Sequence, residues 1–321
     1  ADVSSGGMKA LGNSMIAFLN RVDPFKVTYQ RDRRASLLSL ASSPSMLYQM
    51  GFTTTPGASL GSLSGYETEK QSESITETIK AVSGMMLPWE VDGDISFNRT
   101  YSWTNSTTSI TEKISTSFPE LKLTWGKIAQ FEFFKKYASS ARAQSAFNYT
   151  ATTDKVDHKQ TGKSKKFEFA PVFSLNVTWR NGIQTSAKID YDITDSDQTS
   201  ASATTKRLTN NLWEGTIAYN VTKKNGLTLP IIGKVNLDNT LKLQGTITYT
   251  HKKNQELRIG SSGKPSIISD VSDFMIKPSA TYNFSKNIDA TFSFIWYDSK
   301  DLRLDIGRHR REVDIKVTLK F

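Results

Sequence analysis

The sequence predicts an all-β chain whose antiparallel strands, about 14 in all, form the wall of a transmembrane β-barrel. Three observations carry this. Apolar and polar residues alternate in segment after segment, turn-forming residues separate those segments, and the last alternation runs up to the terminal Phe321. Alternation of period two puts every second side chain on the same face of a strand. A barrel wall needs that arrangement, with one face against lipid and the other against water.

The elements follow in chain order. Residues 1–22 are irregular or helical in pattern, and the wall proper occupies 23–321. Phe25, Val27 and Tyr29 alternate, and the Gly/Ser-rich stretch Thr53–Gly65 reads as a loop. Strands are expected at 72–82, through Ile95 and Phe97 to Tyr101 and Trp103, and at 108–116, 121–125 and 142–153. Between them, 126–141 reads as an irregular or helical loop. Val172–Trp179 leads through Arg180-Asn181-Gly182 into Ile183–Ile193. Asn181-Gly182 is the clearest hairpin cue, because both residue types tolerate the positive φ of a type I′ turn. Further strands are expected at 200–208 and 212–222, while Pro230 and Gly233 weigh against a strand over Leu227–Leu237. Leu241, Leu243, Gly245, Ile247 and Tyr249 share a face. Pro278–Phe284 and the strand bearing Ile288, Ala290, Phe292, Phe294 and Trp296 form a hairpin about Ser285-Lys286-Asn287. In Glu312–Phe321 the residues Val313, Ile315, Val317, Leu319 and Phe321 alternate with Glu312, Asp314, Lys316, Thr318 and Lys320. Alternation that ends on a terminal Phe is the form of signal by which outer-membrane assembly machinery recognises a barrel. Most strands are expected near the roughly 10 residues needed to cross at a tilt.

Composition agrees. The chain has 321 residues, of which 37% are hydrophobic, with a mean hydropathy of −0.42. No window approaches the roughly 20 apolar residues of a membrane-spanning helix, a test that barrel strands escape because they average to a polar composition. There is no cysteine, as suits a Gram-negative envelope protein without disulfides or zinc thiolates. The Ala-Asp-Val start reads as that of a processed or partial chain. The net charge of +10 fits solvated loops and lumen, or attraction to anionic lipopolysaccharide or acidic cargo. Lysine and arginine form no concentrated stripe, so nucleic acid is not an expected partner.

Sidedness follows from loop length, because barrel turns are short on the periplasmic side and longer outside. If Phe321 ends in the periplasm, residues 285–287 lie there too, and the basic stretch Ser299–Arg311 and polar stretch Asp154–Lys163 lie outside. Asn181-Gly182 falls on the periplasmic side only if Leu227–Leu237 also forms a strand. Trp103, Trp125, Trp179, Trp213, Tyr249, Trp296 and Tyr297 recur near expected strand ends, where aromatic girdles would sit at the two interfaces. Core packing is the alternative for any one of them.

Catalytic chemistry is not expected, nor a cofactor or a metal. His158, His251 and His309 stand in or beside polar, basic stretches without zinc-ligand spacing and read as solvated loop residues. A His-dependent catalytic triad would have to use one of these loop positions. Gly260-Ser-Ser-Gly263-Lys264-Pro265 lacks the spacer and terminal Ser/Thr of a phosphate loop. Asp190, Asp192, Asp195 and Asp197 cluster at an expected strand end and offer hard oxygens to calcium but match no EF-hand, and a solvated loop is the expected reading. Six Asn-x-Ser/Thr sequons, among them those at Asn148, Asn176 and Asn220, are explained by strand alternation, with Asn and Thr on the polar face.

Several segments resemble the giant outer-membrane translocon of the type IX secretion system, the SprA/Sov family. They are Pro24–Arg33 with Pro44–Phe52, Phe118–Ile128, Pro171–Gly182, and the closing Asn283–Ile288 with Trp296-Tyr297-Asp298. The resemblance implies a non-enzymatic role in the outer membrane of a Gram-negative, Bacteroidota-like bacterium, in protein transport linked to gliding motility. It implies that folded cargo with C-terminal signals passes from periplasm to cell surface through a wide lumen. The implied partners are the remaining, N-terminal part of the same barrel, a PorV-like shuttle protein, a plug protein, the secreted cargo, and lipid or lipopolysaccharide. This chain would then supply over a third of a 36-stranded wall.

Other readings stand beside it. One is a self-contained barrel acting as a channel or lipopolysaccharide exporter. Another is a soluble extracellular β-rich adhesin, whose alternating residues would pack under a second layer. A barrel enzyme of protease or lipase type lacks a visible nucleophile–base constellation.

Overall fold

A computed structural model describes residues 22–37, 45–50, 70–106, 109–199, 204–221, 227–229, 233–235, 240–258, 264–285 and 287–319. Twelve antiparallel strands form one sheet in which each strand pairs with the next along the chain. They are β1 (Lys26–Leu37), β2 (Lys70–Leu87), β3 (Val91–Ser106), β4 (Ile110–Trp125), β5 (Ala138–Val156), β6 (Lys159–Trp179), β7 (Ile183–Gln198) and β8 (Thr204–Val221). After a separate small hairpin of β9 (Leu227–Leu229) and β10 (Gly233–Val235), the sheet continues with β11 (Leu241–Arg258), β12 (Ser266–Ser285), β13 (Ile288–Asp301) and β14 (Ile306–Leu319). Among the described residues the helical elements are short: α1 (Met46–Gln49), α2 (Glu132–Tyr137) and the 3-10 turns Pro88–Glu90 and Ile128–Gln130.

The all-β, antiparallel expectation holds. The sheet is open, however: among the described residues β1 pairs only with β2, and β14 only with β13. The expected total of about 14 strands coincides with the number observed, but β9 and β10 are three residues each and lie outside the sheet.

The wall strands run to 12–21 residues, longer than expected. Expected strands at 108–116 and 121–125 are one strand, β4, with an irregularity in its pairing between Ser117 and Glu120. Those at 200–208 and 212–222 are likewise one strand, β8, whose register with β7 is unbroken from Gln198↔Thr204 to Ile183↔Tyr219. Apolar alternation fades within each of these strands while backbone pairing continues through it. For the same reason, the expected loops Asp154–Lys163 and Ser299–Arg311 shrink to the turns Asp157-His158 and 302–305. Of the expected loop 126–141, residues 138–141 belong to β5. The calls on residues 1–21, on the loop 53–65 and on Phe321 lie outside the described residues.

These corrections leave the relative ends unchanged. Among the described residues Leu227–Leu237 contributes no strand to the wall, yet Asn181-Gly182 lies at the same end of the sheet as the β12–β13 turn and Leu319. Merging two expected strands into β8 removes one crossing, and losing Leu227–Leu237 removes another, so parity is kept. We call this the first end. The turns at 157–158 and 302–305 lie at the second.

The turn at Asn181-Gly182 has a different form from the one expected. Gly182 has φ +85°, whereas Asn181 is not among the residues of positive φ. The Gly182 N–H donates to the Trp179 carbonyl at 2.9 Å, and the Asn181 Oδ1 accepts from the Ile183 N–H at 3.1 Å. This is a three-residue loop closed by a left-handed residue rather than a two-residue type I′ turn. A Cβ on Gly182 would meet Tyr219 at an ordinary 3.7 Å. Gly182→Ala is therefore expected to cost roughly 1–2 kcal/mol through backbone strain alone, read as a lowered urea midpoint with unchanged secondary structure.

Candidate functional site

Residues paired across an antiparallel sheet lie on the same face. The registers can therefore be followed from edge to edge. On β14, Val313, Ile315 and Val317 are opposite Phe294, Phe292 and Ala290 of β13. Phe292 is opposite Ala280 and Trp296 is opposite Ile276 of β12, and these are opposite Leu243 and Ile247 of β11. The same face continues through Tyr219, Ile217 and Trp213 of β8 to Ile183 and Ile189 of β7. It passes Phe167, Phe173 and Leu175 of β6, Tyr149 and Ala143 of β5 and Leu121, Leu123 and Trp125 of β4. It ends with Ile95 and Tyr101 of β3, Ile79 and Ala81 of β2, and Val27 and Tyr29 of β1. All twelve strands contribute to one apolar face.

That face is bare over most of its area. Val313, Ile315, Val317 and Leu319 are 55–71% exposed. Trp213, Ile217, Ile247, Phe292 and Trp296 are exposed as well. Among the described residues the buried apolar side chains are Ile128, Ala138, Ala141, Ala143, Val177 and Val221. Soluble monomers rarely leave apolar patches beyond a few hundred Å² uncovered.

The opposite face is polar and rich in hydroxyls. Cross-strand pairs join Ser117 to Thr150 at 2.8 Å, Thr281 to Thr291 at 2.9 Å and Ser115 to Thr152 at 3.3 Å. Lys188 reaches Asp190 at 2.6 Å on this face. The sequon residues Asn148, Thr150, Asn176, Thr178 and Asn220 lie here, while Tyr149, Val177 and Val221 lie on the apolar face. Strand alternation thus accounts for these three sequons, whereas Asn105 lies on the face of Trp103.

Toward the second end, the apolar face gives way to a collar of paired charges. Arg31 meets Glu77 at 3.3 Å and Arg33 meets Glu73 at 2.6 Å. Asp195 takes two hydrogen bonds from the Arg207 guanidinium, at 2.7 and 2.9 Å. Each histidine contacts a carboxylate: His158 with Glu112 at 2.6 Å, His251 with Asp270 at 2.7 Å and His309 with Asp298 at 2.7 Å. Only His158 occupies a turn; His251 and His309 stand within β11 and β14, a correction to their expected loop setting. In the turn beyond β13, Lys300 contacts Asp305 at 2.7 Å. That hydrogen bond and positive charge hold the Asp305 carboxyl below its ordinary range.

Six of the seven expected girdle aromatics lie on the apolar face. Trp125 and Trp179 are at the first end, with Trp89 81% exposed in the neighbouring turn. Trp103, Trp213, Tyr249 and Trp296 lie where the charged collar begins. The Arg311 guanidinium stacks 4.1 Å over the Trp296 ring. Tyr297 departs from expectation: one residue along from Trp296, it faces the polar side and donates its hydroxyl to Asp273 at 2.7 Å. The acidic run, expected as a solvated loop, lies within β7, where backbone pairing continues past the apolar residues, and it divides in the same way. Asp190 and Asp192 are on the polar face and Asp195 and Asp197 on the other, so the four carboxylates do not converge on one ion.

The sequence reading did not anticipate the collar or a cap on the apolar face. Between β4 and β5, Ile128 packs with Ala138, Ala141, Ala143 and Val177, and with partly buried Trp125, Phe134 and Trp179. Small residues at 138, 141 and 143, against a run of Phe at 131, 133 and 134, were the available signal.

No protein-family model matches the chain, and no curated protein matches it significantly.

Proposed function

We propose that this sheet is part of the wall of an outer-membrane protein-conducting translocon, through which folded cargo passes from the periplasm to the cell surface. One observation carries the reading: among the described residues, an apolar face continuous over twelve strands has almost nothing packed on it, while its reverse is mainly polar. A soluble adhesin would bury that face beneath a second layer. Val313, Ile315 and Val317 are instead open to the surroundings.

The dimensions agree. On β13 the apolar stretch runs from Ile288 to Trp296, and on β3 from Val91 to Trp103, interrupted there by Arg99 on the same face. These spans are roughly 26 and 40 Å along the strand. At a tilt of about 40° they become roughly 20 and 30 Å, bracketing the ~25 Å apolar band of outer-membrane barrels. The first end then faces the periplasm and the charged collar the outside. The open edges favour a segment of a larger barrel over a self-contained channel. The resemblance to the type IX translocon family supplies the cargo and the partners: a PorV-like shuttle, a plug and C-terminally tagged proteins.

The test is made on native cells. The polypeptide should stay in the outer-membrane pellet through urea and carbonate washes and leave it only with detergent. Its depletion should trap C-terminally tagged cargo in the periplasm. Release by urea would end the membrane reading, and normal secretion after depletion would end the translocon reading.

A further inference from the structure

The connection between β4 and β5 is the one place among the described residues where a helix lies against the apolar face. Ile128 and Phe134 cover Ala138, Ala141, Ala143 and Val177, and the alanines leave room for them. The segment is fixed from the neighbouring turn: the Arg180 N–H donates to the Tyr137 carbonyl at 2.9 Å, and its guanidinium to the Lys135 carbonyl at 2.8 Å. A loop that only joined two strands could project beyond the sheet. This one is folded back against the face's first end.

Its outer side is aromatic and basic. Phe131, Phe133 and Tyr137 are 50, 61 and 48% exposed. The Phe133 ring is centred 5.6 Å from that of Tyr137, and Phe131 is edge-on to Trp125 at 5.1 Å. Lys135 and Lys136 occupy the last turn of α2, and the Lys136 ammonium lies 5.1 Å from the Tyr137 ring centre. Lys127 is paired with Glu90. Exposed aromatics beside lysines, at the border of an apolar surface, match the composition of segments that lie in a membrane interface.

We propose that Phe131–Tyr137 is an interfacial anchor. Phe131, Phe133 and Tyr137 enter the boundary between headgroups and acyl chains of the leaflet at the first end, and Lys135 and Lys136 meet lipid phosphates. The proposal rests on the membrane-wall reading, since the anchor extends the face assigned to lipid. The occupant is a phospholipid surface because the patch joins apolar area to positive charge, which anionic headgroups complement.

These 321 residues contain no cysteine, so once any cysteine elsewhere in the polypeptide is replaced by serine, single spin labels can be placed in them. Phe133→Cys, Ile315→Cys and Arg303→Cys are labelled in the full-length protein, in vesicles of phosphatidylethanolamine and phosphatidylglycerol. Accessibility is read with oxygen and with a water-soluble nickel complex. The expected result is loss of nickel accessibility with high oxygen accessibility at 133 and 315, and the reverse at 303. Lipid signatures at 315 with nickel access at 133 would overturn the anchor and leave the wall standing. Protection of 133 from both reagents would overturn it in favour of a protein cover. Nickel access at 315 would overturn the wall and the anchor together.

Discussion

Ile315→Arg is expected to destabilise the inserted wall by about 2–4 kcal/mol, the cost of an arginine on the lipid face near the bilayer midplane, while Lys316→Gln next to it stays within about 0.5 kcal/mol. Ile315 lies midway along the apolar part of β14 and is opposite Phe292; Lys316 is opposite Thr291 on the reverse face. Adjacent positions on one strand thus differ only in which side they face. Equilibrium urea unfolding in phospholipid vesicles measures both variants. If Ile315→Arg is silent and Lys316→Gln is severe, water and lipid have been assigned to the wrong faces. If both are severe, β14 is enclosed on both sides, and the wall reading fails.

A second large effect is expected from the edges. Produced alone and refolded in detergent, the 35.8 kDa chain should assemble into multimers or aggregate, and not form a monomeric, heat-modifiable barrel. At the level of the apolar face, Lys26–Gln30 of β1 and Val313–Leu319 of β14 each turn half of their backbone N–H and C=O groups to the free side. That leaves about a dozen groups, each costing several kcal/mol in hydrocarbon. The sum exceeds the 5–15 kcal/mol by which a whole domain is usually stable. Within a membrane, further strands or another copy would have to pair with them. Light scattering of the detergent complex gives the mass. A homogeneous monomer in which cysteines at Tyr29 and Ile315 cross-link within one chain would mean that β1 and β14 close on each other.

Much of this architecture was legible because the decisive signal is local. Val313 through Leu319 name their face by alternation alone, and register then carries that assignment from strand to strand. What was hard to read depends on partners far along the chain. Nothing in Asp195 indicates that it continues a strand until Arg207 stands opposite it, so the charged collar resembled loops. A single added residue likewise sends Tyr297 to the other face from Trp296, although both are aromatics near one strand end. In the turn at Asn181-Gly182, the dipeptide announced a reversal but not its length, because Arg180 also belongs to the loop. The cap over Ala141 and Ala143 was hidden for another reason. Alanines in a strand look unremarkable until the helix that needs their small volume is seen above them.

The neighbour-to-neighbour order of the strands bears on how such a wall could change over time. Among the described residues each strand of the sheet pairs only with those before and after it in that sheet, and consecutive strands run in opposite directions, so excising one would leave two parallel neighbours joined by an impossible link. Excising two, such as β12 with β13, would let β11 meet β14 in the proper orientation through a turn on the correct side. Circumference can therefore be gained or lost only by whole hairpins. The small β9–β10 unit illustrates a further freedom, since additions made at a rim leave the seam between β8 and β11 undisturbed.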